Sequence, residues 1–382
     1  MQRIPLTDAH IAIEGAVGTV ATEEHMTLRR LDDRWRHEFP VEVDFLAESP
    51  SGVRLAFRTD SSTVGLEFLA TMLQTNEEPA RPSIFDLVVD GELVASQTSR
   101  GGNTLVLDRE DPTVFELVPG DVATVHFDLS GRDDQRVELW LPSATVLRVH
   151  SLLLDDGAVL TPAPSDQPRW VHHGSSISHC MEAHGGAQVW PAVAARLGDL
   201  HLTNLGLGGQ CQLDQFTART MRELPADVLS LKVGINLVNA ASMSIRTFPS
   251  ALHGFLDTVR EGHPDTPFLV VSPIICPVHE DMAGPTGPGT GPLVSALGTE
   301  VTKAQGALTL RRVRRIVEEV VAVRRGAGDA NLHHLDGLAI FGPDDVDDLP
   351  DGLHPNGAGY VRMGERFAAL AFAAGGPLAS AG

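Results

Sequence analysis

The chain has 382 residues, 42% of them hydrophobic, and at roughly 100 to 200 residues per domain this predicts two domains with sizeable cores. Lys+Arg 29 against Asp+Glu 50 leaves a net charge of -21, which repels phosphate backbones and anionic headgroups and argues against nucleic acid or a membrane as partner. The N-terminal MQRIPLTDAH carries no apolar signal core and no later run approaches the ~18 apolar residues of a membrane span, so a soluble, cytoplasmic protein is expected.

From the start to about residue 155 the chain reads as short alternating runs between turn residues: VRLAFRTD from Val53, STVGLEFLA from Ser62, SIFDLVVDGELVAS from Ser83, TLVLD from Thr104 and RVELWLP from Arg136. Asp90-Gly91 predicts a tight hairpin, because both central positions of such a turn take positive φ. Many short strands of this kind predict an antiparallel β-sandwich or jelly roll over residues 1–160. DDGAVLTPAPSDQP, from Asp155, is rich in Pro and Asp and marks the boundary. An α/β catalytic domain is expected over residues 168–376. Strands are predicted at 169–172, 201–205, 227–233, 267–273 and 331–336, alternating with helices at 187–198, 214–223, 248–262, 308–325 and from Gly357. That alternation predicts a parallel sheet covered on both faces. MAGPTGPGTGP, from Met282, is too rich in Gly and Pro for any element; its place after a strand end suits a lid or a spacer. The run RRVRR from Arg311 reads as a solvated helix face with a pair such as Arg314 to Glu318, and DDVDD from Asp344 as solvated turns or caps.

The chemistry-bearing residues fall at strand ends. His172-His173-Gly174-Ser175-Ser176-Ile177-Ser178 follows the first strand of the α/β half, where a fold of this class can expose a nucleophile. A serine hydroxyl needs a base to remove its proton, and the oxyanion formed on attack needs donors. Asp351-Gly352-Leu353-His354 puts a carboxylate three residues before an imidazole, so that Asp351 can accept from Nδ1 of His354 and leave Nε2 as the base. Asn204-Leu205-Gly206-Leu207-Gly208-Gly209 and Gly234-Ile235-Asn236 offer an N–H from Gly209 and the amide of Asn236.

Taken in the order Ser, Gly, Asn, Asp-x-x-His, residues 170 to about 370 resemble the SGNH hydrolases, also called GDSL esterases and lipases. The resemblance implies a flavodoxin-like three-layer α/β domain with Ser176 as nucleophile, Asp351 and His354 completing the triad, and the N–H groups of Ser176 and Gly209 with the Asn236 amide as oxyanion hole. Ser175 stands where the family usually has Asp. A GSSIT-like block behind an N-terminal β-sandwich is similar to a subgroup that includes carbohydrate esterases and an actinomycete acyltransferase acting on a tetracycline-type polyketide, and the HGSSISHC segment is most similar to that last branch. The resemblance implies transfer from an ester or acyl-CoA thioester to water or to a hydroxyl of a small molecule. No cofactor is implied, although acyl-CoA can serve as co-substrate.

Rival readings are weaker. The Gly-x-Ser-x-Gly elbow of the α/β-hydrolases is absent, since Ser178 occupies the last glycine's place. His172, His173, His179, Cys180 and His184 crowd one stretch, but no HExxH is present, and Cys180, Cys211 and Cys276 form no CxxC pair, so no metal site is expected. A carbohydrate esterase, or a non-catalytic carbohydrate-binding protein with a decayed esterase domain, is the alternative function. With aromatic residues at 5% of the chain and one tyrosine, Tyr360, outside the first domain, sugar-stacking platforms are scarce.

Overall fold

The computed structural model describes residues 1–75, 79–108, 115–129 and 134–379, and the chain divides into two compact units. The first comprises Met1–Asp166 together with His184–Val189. Its two sheets are built around the long strands Thr63–Thr75 and Thr145–Leu154 in one and around Arg54–Thr59, Gln135–Trp140 and Ser83–Val89 in the other. Alternating side chains place Leu66 and Phe68 of the first sheet against Phe57, Phe85 and Leu139 of the second, with the Phe68 and Phe85 rings 4.7 Å apart. The predicted hairpin joins Ser83–Val89 to Glu92–Ser99, and Asp90 and Gly91 take φ of 48° and 88°. One pairing departs from the antiparallel expectation. Thr63–Thr75 runs parallel to Asn103–Leu107, because the intervening hairpin lies in the other sheet and the chain re-enters in its original direction.

The sequence also concealed a buried charge cluster in this unit. Arg29 is fully buried and bonded to Asp33, Asp44 and Glu48 at 2.9, 2.6 and 3.0 Å. Its partners come from a 3-10 turn, Asp33–Glu38, and from the short helix Val41–Ala47 with its C-cap residue Glu48, which no long helical period announces.

In the second unit, Gln167–Ala183 and Trp190–Gly382, five parallel strands form the sheet: Arg169–Gly174, His201–Asn204, Val228–Lys232, Phe268–Val271 and Leu332–Leu335. Their spatial order is second, first, third, fourth, fifth. This is the flavodoxin-like order, with its switch point between the first and third strands. Adjacent residues face opposite layers. His172 packs on Trp190 at 4.8 Å, beside the paired helices Trp190–Leu197 and Gly357–Ala371, whereas His173 stacks on Phe255 of helix Phe248–Gly262 at 6.0 Å. That second layer also holds Gln215–Glu223 and Leu310–Gly326.

Three local expectations change. The helix expected from Ala187 begins at Trp190, because Gly186–Gln188 is a 3-10 turn and the Ala187 N–H is held by buried Asp86 at 2.9 Å. The Gly/Pro segment is not without structure, since Thr286–Pro288 pairs with Val294–Ala296 as a small hairpin. Arg314 does not pair with Glu318; it is bidentate to Glu280 at 2.7 Å and also donates to Pro273 O and Ile274 O. Among the described residues, no helix is long and apolar enough to cross a membrane.

Candidate active site

The first strand of the parallel sheet ends at Gly174, and Ser175 then caps a single helical turn, Ser176–His179, its Oγ accepting from Ile177 N at 3.3 Å. Ser175 is thus buried as an N-cap, while Ser176 is the first helical residue and stays partly open. A Cβ on Gly174 would meet Ser178 Oγ at 2.3 Å, so glycine is required there for the turn to fold back on the strand. Beneath the turn, His172 joins the hydroxyls of Ser178 at 2.8 Å and Ser230 at 2.7 Å, and the Asn204 amide donates to Ser178 O at 2.9 Å. Burial holds the His172 imidazole well below its ordinary pKa, so it is a neutral hydrogen-bonding strut.

The C-terminal loop delivers the partner groups. His354 Nε2 lies 2.9 Å from Ser176 Oγ, and His354 Nδ1 lies 2.6 Å from Asp351 Oδ2. Asp351 Oδ1 also accepts from the N–H groups of Leu353 and His354 at 2.8 and 2.6 Å. Burial pushes the Asp351 carboxyl up, but the His354 hydrogen bond and charge and the two amides outweigh it, and the group titrates below the ordinary carboxylate value. The acidic stretch before this loop is more than solvated turns. Asp345, 6% exposed, bridges Arg362 and Arg366, and Asp348 accepts from Asn356 and Arg362, which pins the loop to the last helix.

Gly209 follows the second strand in a turn with φ 71°, and Asn236 lies in the short helix Ile235–Asn239 after the third. Asn236 is buried, and its Oδ1 accepts from Cys211 N at 3.0 Å, so Nδ2 occupies the other branch of the amide. Among the described residues, neither the Ser176 nor the Gly209 N–H meets a hydrogen-bond acceptor. Ser176, Asp351 and His354 are therefore brought into one hydrogen-bonded line, with Gly209 in a turn and Asn236 in a short helix that follow strands at the same carboxyl edge of the sheet. Such a line can draw a proton from a serine hydroxyl.

The crowded histidines disperse. His173 bonds Leu205 O at 2.8 Å, His179 Nδ1 accepts from Gly208 N at 3.3 Å, and His184 groups with the first unit. Among the described residues, no cluster of three His, Cys, Asp or Glu side chains could hold a metal ion. Sequence reasoning passed over Ser178, Ser230 and the strut role of His172; the only local signal was the last serine of Gly-Ser-Ser-Ile-Ser.

Comparison with known proteins accords with this geometry. Residues 11–150 match the SsfX3 N-terminal domain, and residues 173–362 match the GDSL-like lipase/acylhydrolase family. Among solved structures, the chain is similar to the salicylyl-acyltransferase SsfX3 from a tetracycline biosynthetic pathway, at 28% identity, TM-score 0.79 and coverage of 96% of this chain and 95% of that one. A Bacteroides ovatus protein described as a GDSL-like lipase shares the fold at 20% identity and TM-score 0.68, covering 96% and 95%. So does a family two carbohydrate esterase from Cellvibrio japonicus, at 13% identity and TM-score 0.58, covering 96% of each chain. No curated protein sequence matches. The chain carries a GDSL-like lipase/acylhydrolase domain over residues 173–362 behind an SsfX3-type N-terminal domain over residues 11–150, and is an esterase or acyltransferase of GDSL type.

Proposed function

We propose that this enzyme moves an acyl group from an ester or acyl-CoA thioester, through an ester on Ser176, to a hydroxyl of a small molecule. The Ser176 proton passes to His354 Nε2 as Oγ attacks the carbonyl carbon, and Asp351 holds the imidazole in the tautomer that leaves Nε2 able to accept. The Ser176 and Gly209 N–H groups and the Asn236 Nδ2 donate to the oxyanion. Collapse expels the alcohol or thiol, which takes the proton from Nε2. In the second half the acceptor hydroxyl gives its proton to Nε2 and attacks the acyl carbon, and Ser176 Oγ leaves with that proton.

The observation that carries this reading is the continuous line from Asp351 Oδ2 through His354 to Ser176 Oγ, at 2.6 and 2.9 Å. It needs no cofactor, with acyl-CoA entering as co-substrate. Transfer to a hydroxylated scaffold of polyketide type, in preference to plain hydrolysis, is supported by the likeness to the salicylyl-acyltransferase along 96% of the chain. A sugar-polymer substrate finds less support, because three of the four tryptophans, Trp140, Trp170 and Trp190, and the single tyrosine, Tyr360, are buried, which leaves few aromatic rings for sugar stacking. The test is the ratio of transferred to hydrolysed acyl group across alcohols that include polyketide scaffolds and sugars. A polyketide hydroxyl should lower the hydrolysed fraction; if no acceptor does, the enzyme is an esterase.

A further inference from the structure

The hairpin Thr286–Pro288 with Val294–Ala296 is fastened to both halves of the candidate site. On one side Thr286 Oγ1 donates to Asn239 Oδ1 at 2.8 Å, at the end of the helix that carries Asn236, and buried His279 lies 2.6 Å from the same hydroxyl. On the other side Val294 N donates to the backbone oxygen of Asp351 at 3.0 Å. Flanking residues are tied to helix Leu310–Gly326 by Arg311 with Asp281 at 3.0 Å and Arg314 with Glu280 at 2.7 Å. A Cβ on Gly284 would strike Val238 O at 1.7 Å, so the segment also packs directly on the Asn236 helix. These bonds tie the segment as a wall to the Asn236 helix on one side and to the Asp351–His354 loop on the other.

The wall carries two exposed leucines, Leu293 at 48% and Leu297 at 56%, and it is Leu293 that the structure sets against the Asp351–His354 loop. A Cβ on Gly352 would lie 3.7 Å from Leu293 Cδ2 and 4.0 Å from Val278 Cγ2, which puts both apolar side chains beside the Asp351–His354 loop. The position has a chemical meaning. The hydroxyl that attacks the acyl-enzyme must reach the imidazole that takes its proton, so the acceptor binds on the histidine side of Ser176. We propose that Leu293 is a specificity-determining residue: it holds the apolar face of the acceptor and so sets which alcohol competes with water. This deepens the serine acyl-transfer reading and rests on it.

The test preloads the enzyme from a p-nitrophenyl ester and measures the products formed with cyclohexanol and with glycerol, alongside the p-nitrophenol burst. The native enzyme should prefer cyclohexanol as acceptor. Leu293→Asn should reduce the cyclohexanol-to-glycerol preference roughly tenfold, the scale set by losing apolar contact in a binding pocket. Leu293→Met, which keeps the apolar surface, should retain it. A burst accompanied by the same preference in native and Leu293→Asn enzymes, or by no preference in the native enzyme, overturns the role of Leu293 alone. Absence of any burst or acyl-enzyme in the native protein overturns the serine reading, and this inference with it.

Discussion

Ser175 and Ser176 are neighbours with opposite surroundings, and the difference decides what each substitution does. Ser175 is 1% exposed and bonded to Ile177 N, whereas Ser176 faces His354. Ser176→Ala should abolish labelling by a fluorophosphonate. Ser175→Ala should retain labelling but lose about 1 kcal/mol of stability, the ordinary cost of an N-cap, read as a fall in Tm. Labelling that survives in Ser176→Ala and vanishes in Ser175→Ala would reverse the two. The proposed base, His354, carries a pH dependence with it. kcat/KM should fall on acidification as His354 takes a proton, and Asp351, held below its ordinary value, stays ionised across that limb. Asp351→Asn should cost less activity than His354→Ala; a flat profile with chemistry rate-limiting would remove the histidine from the mechanism. Lys232 makes a separate prediction about stability. It is 2% exposed at the end of the third parallel strand, and burial pulls its ammonium from 10.5 to about 8. Between those values the unfolded chain binds more protons, so native stability rises with pH there. Lys232→Met should therefore raise Tm at neutral pH, and the gain should shrink as the pH is taken from about 8 toward 10.5; a constant difference across that window would contradict the assignment.

At the scale of elements, what could be read from sequence was whatever is written within a few residues. Helix Phe248–Gly262 lies where its apolar spacing places it, and Gln215–Glu223 and Gly357–Ala371 follow their cap residues closely. The four site blocks were legible for the same reason, since each packs its chemistry into a short window at a strand end. The supports were not legible, because their partners are distant in the chain: His172 meets Ser230, Thr286 meets Asn239, and Asp345 meets Arg366. The hairpin at 286–296 was hidden by its Gly and Pro content, which masks strand propensity while tertiary bonds hold the backbone extended. The strut under the Ser176 turn can be tested directly. Ser178→Ala leaves the buried His172 Nε2 without its hydroxyl and should cost about 1 to 3 kcal/mol. Thermal unfolding reads this; an unchanged Tm would show that the strut contributes nothing.

For the whole molecule, the change from period-two runs to strands alternating with helices announced two units of different class, and that alternation is what makes the second sheet parallel. Two features escaped because they belong to topology: the parallel pair inside the sandwich, and the return of His184–Val189 to the first unit. The central claim is that the acyl group passes through Ser176. Its most direct test is acid quenching during turnover with a panel of acyl-CoA thioesters and short esters, followed by mass mapping of the modified peptide. The acyl mass should sit on Ser176, be absent in Ser176→Ala, and leave as a new ester when a hydroxylated acceptor is added. Acyl transfer that persists in Ser176→Ala, or an acyl group carried on Ser175, Ser178 or a cysteine, would contradict it.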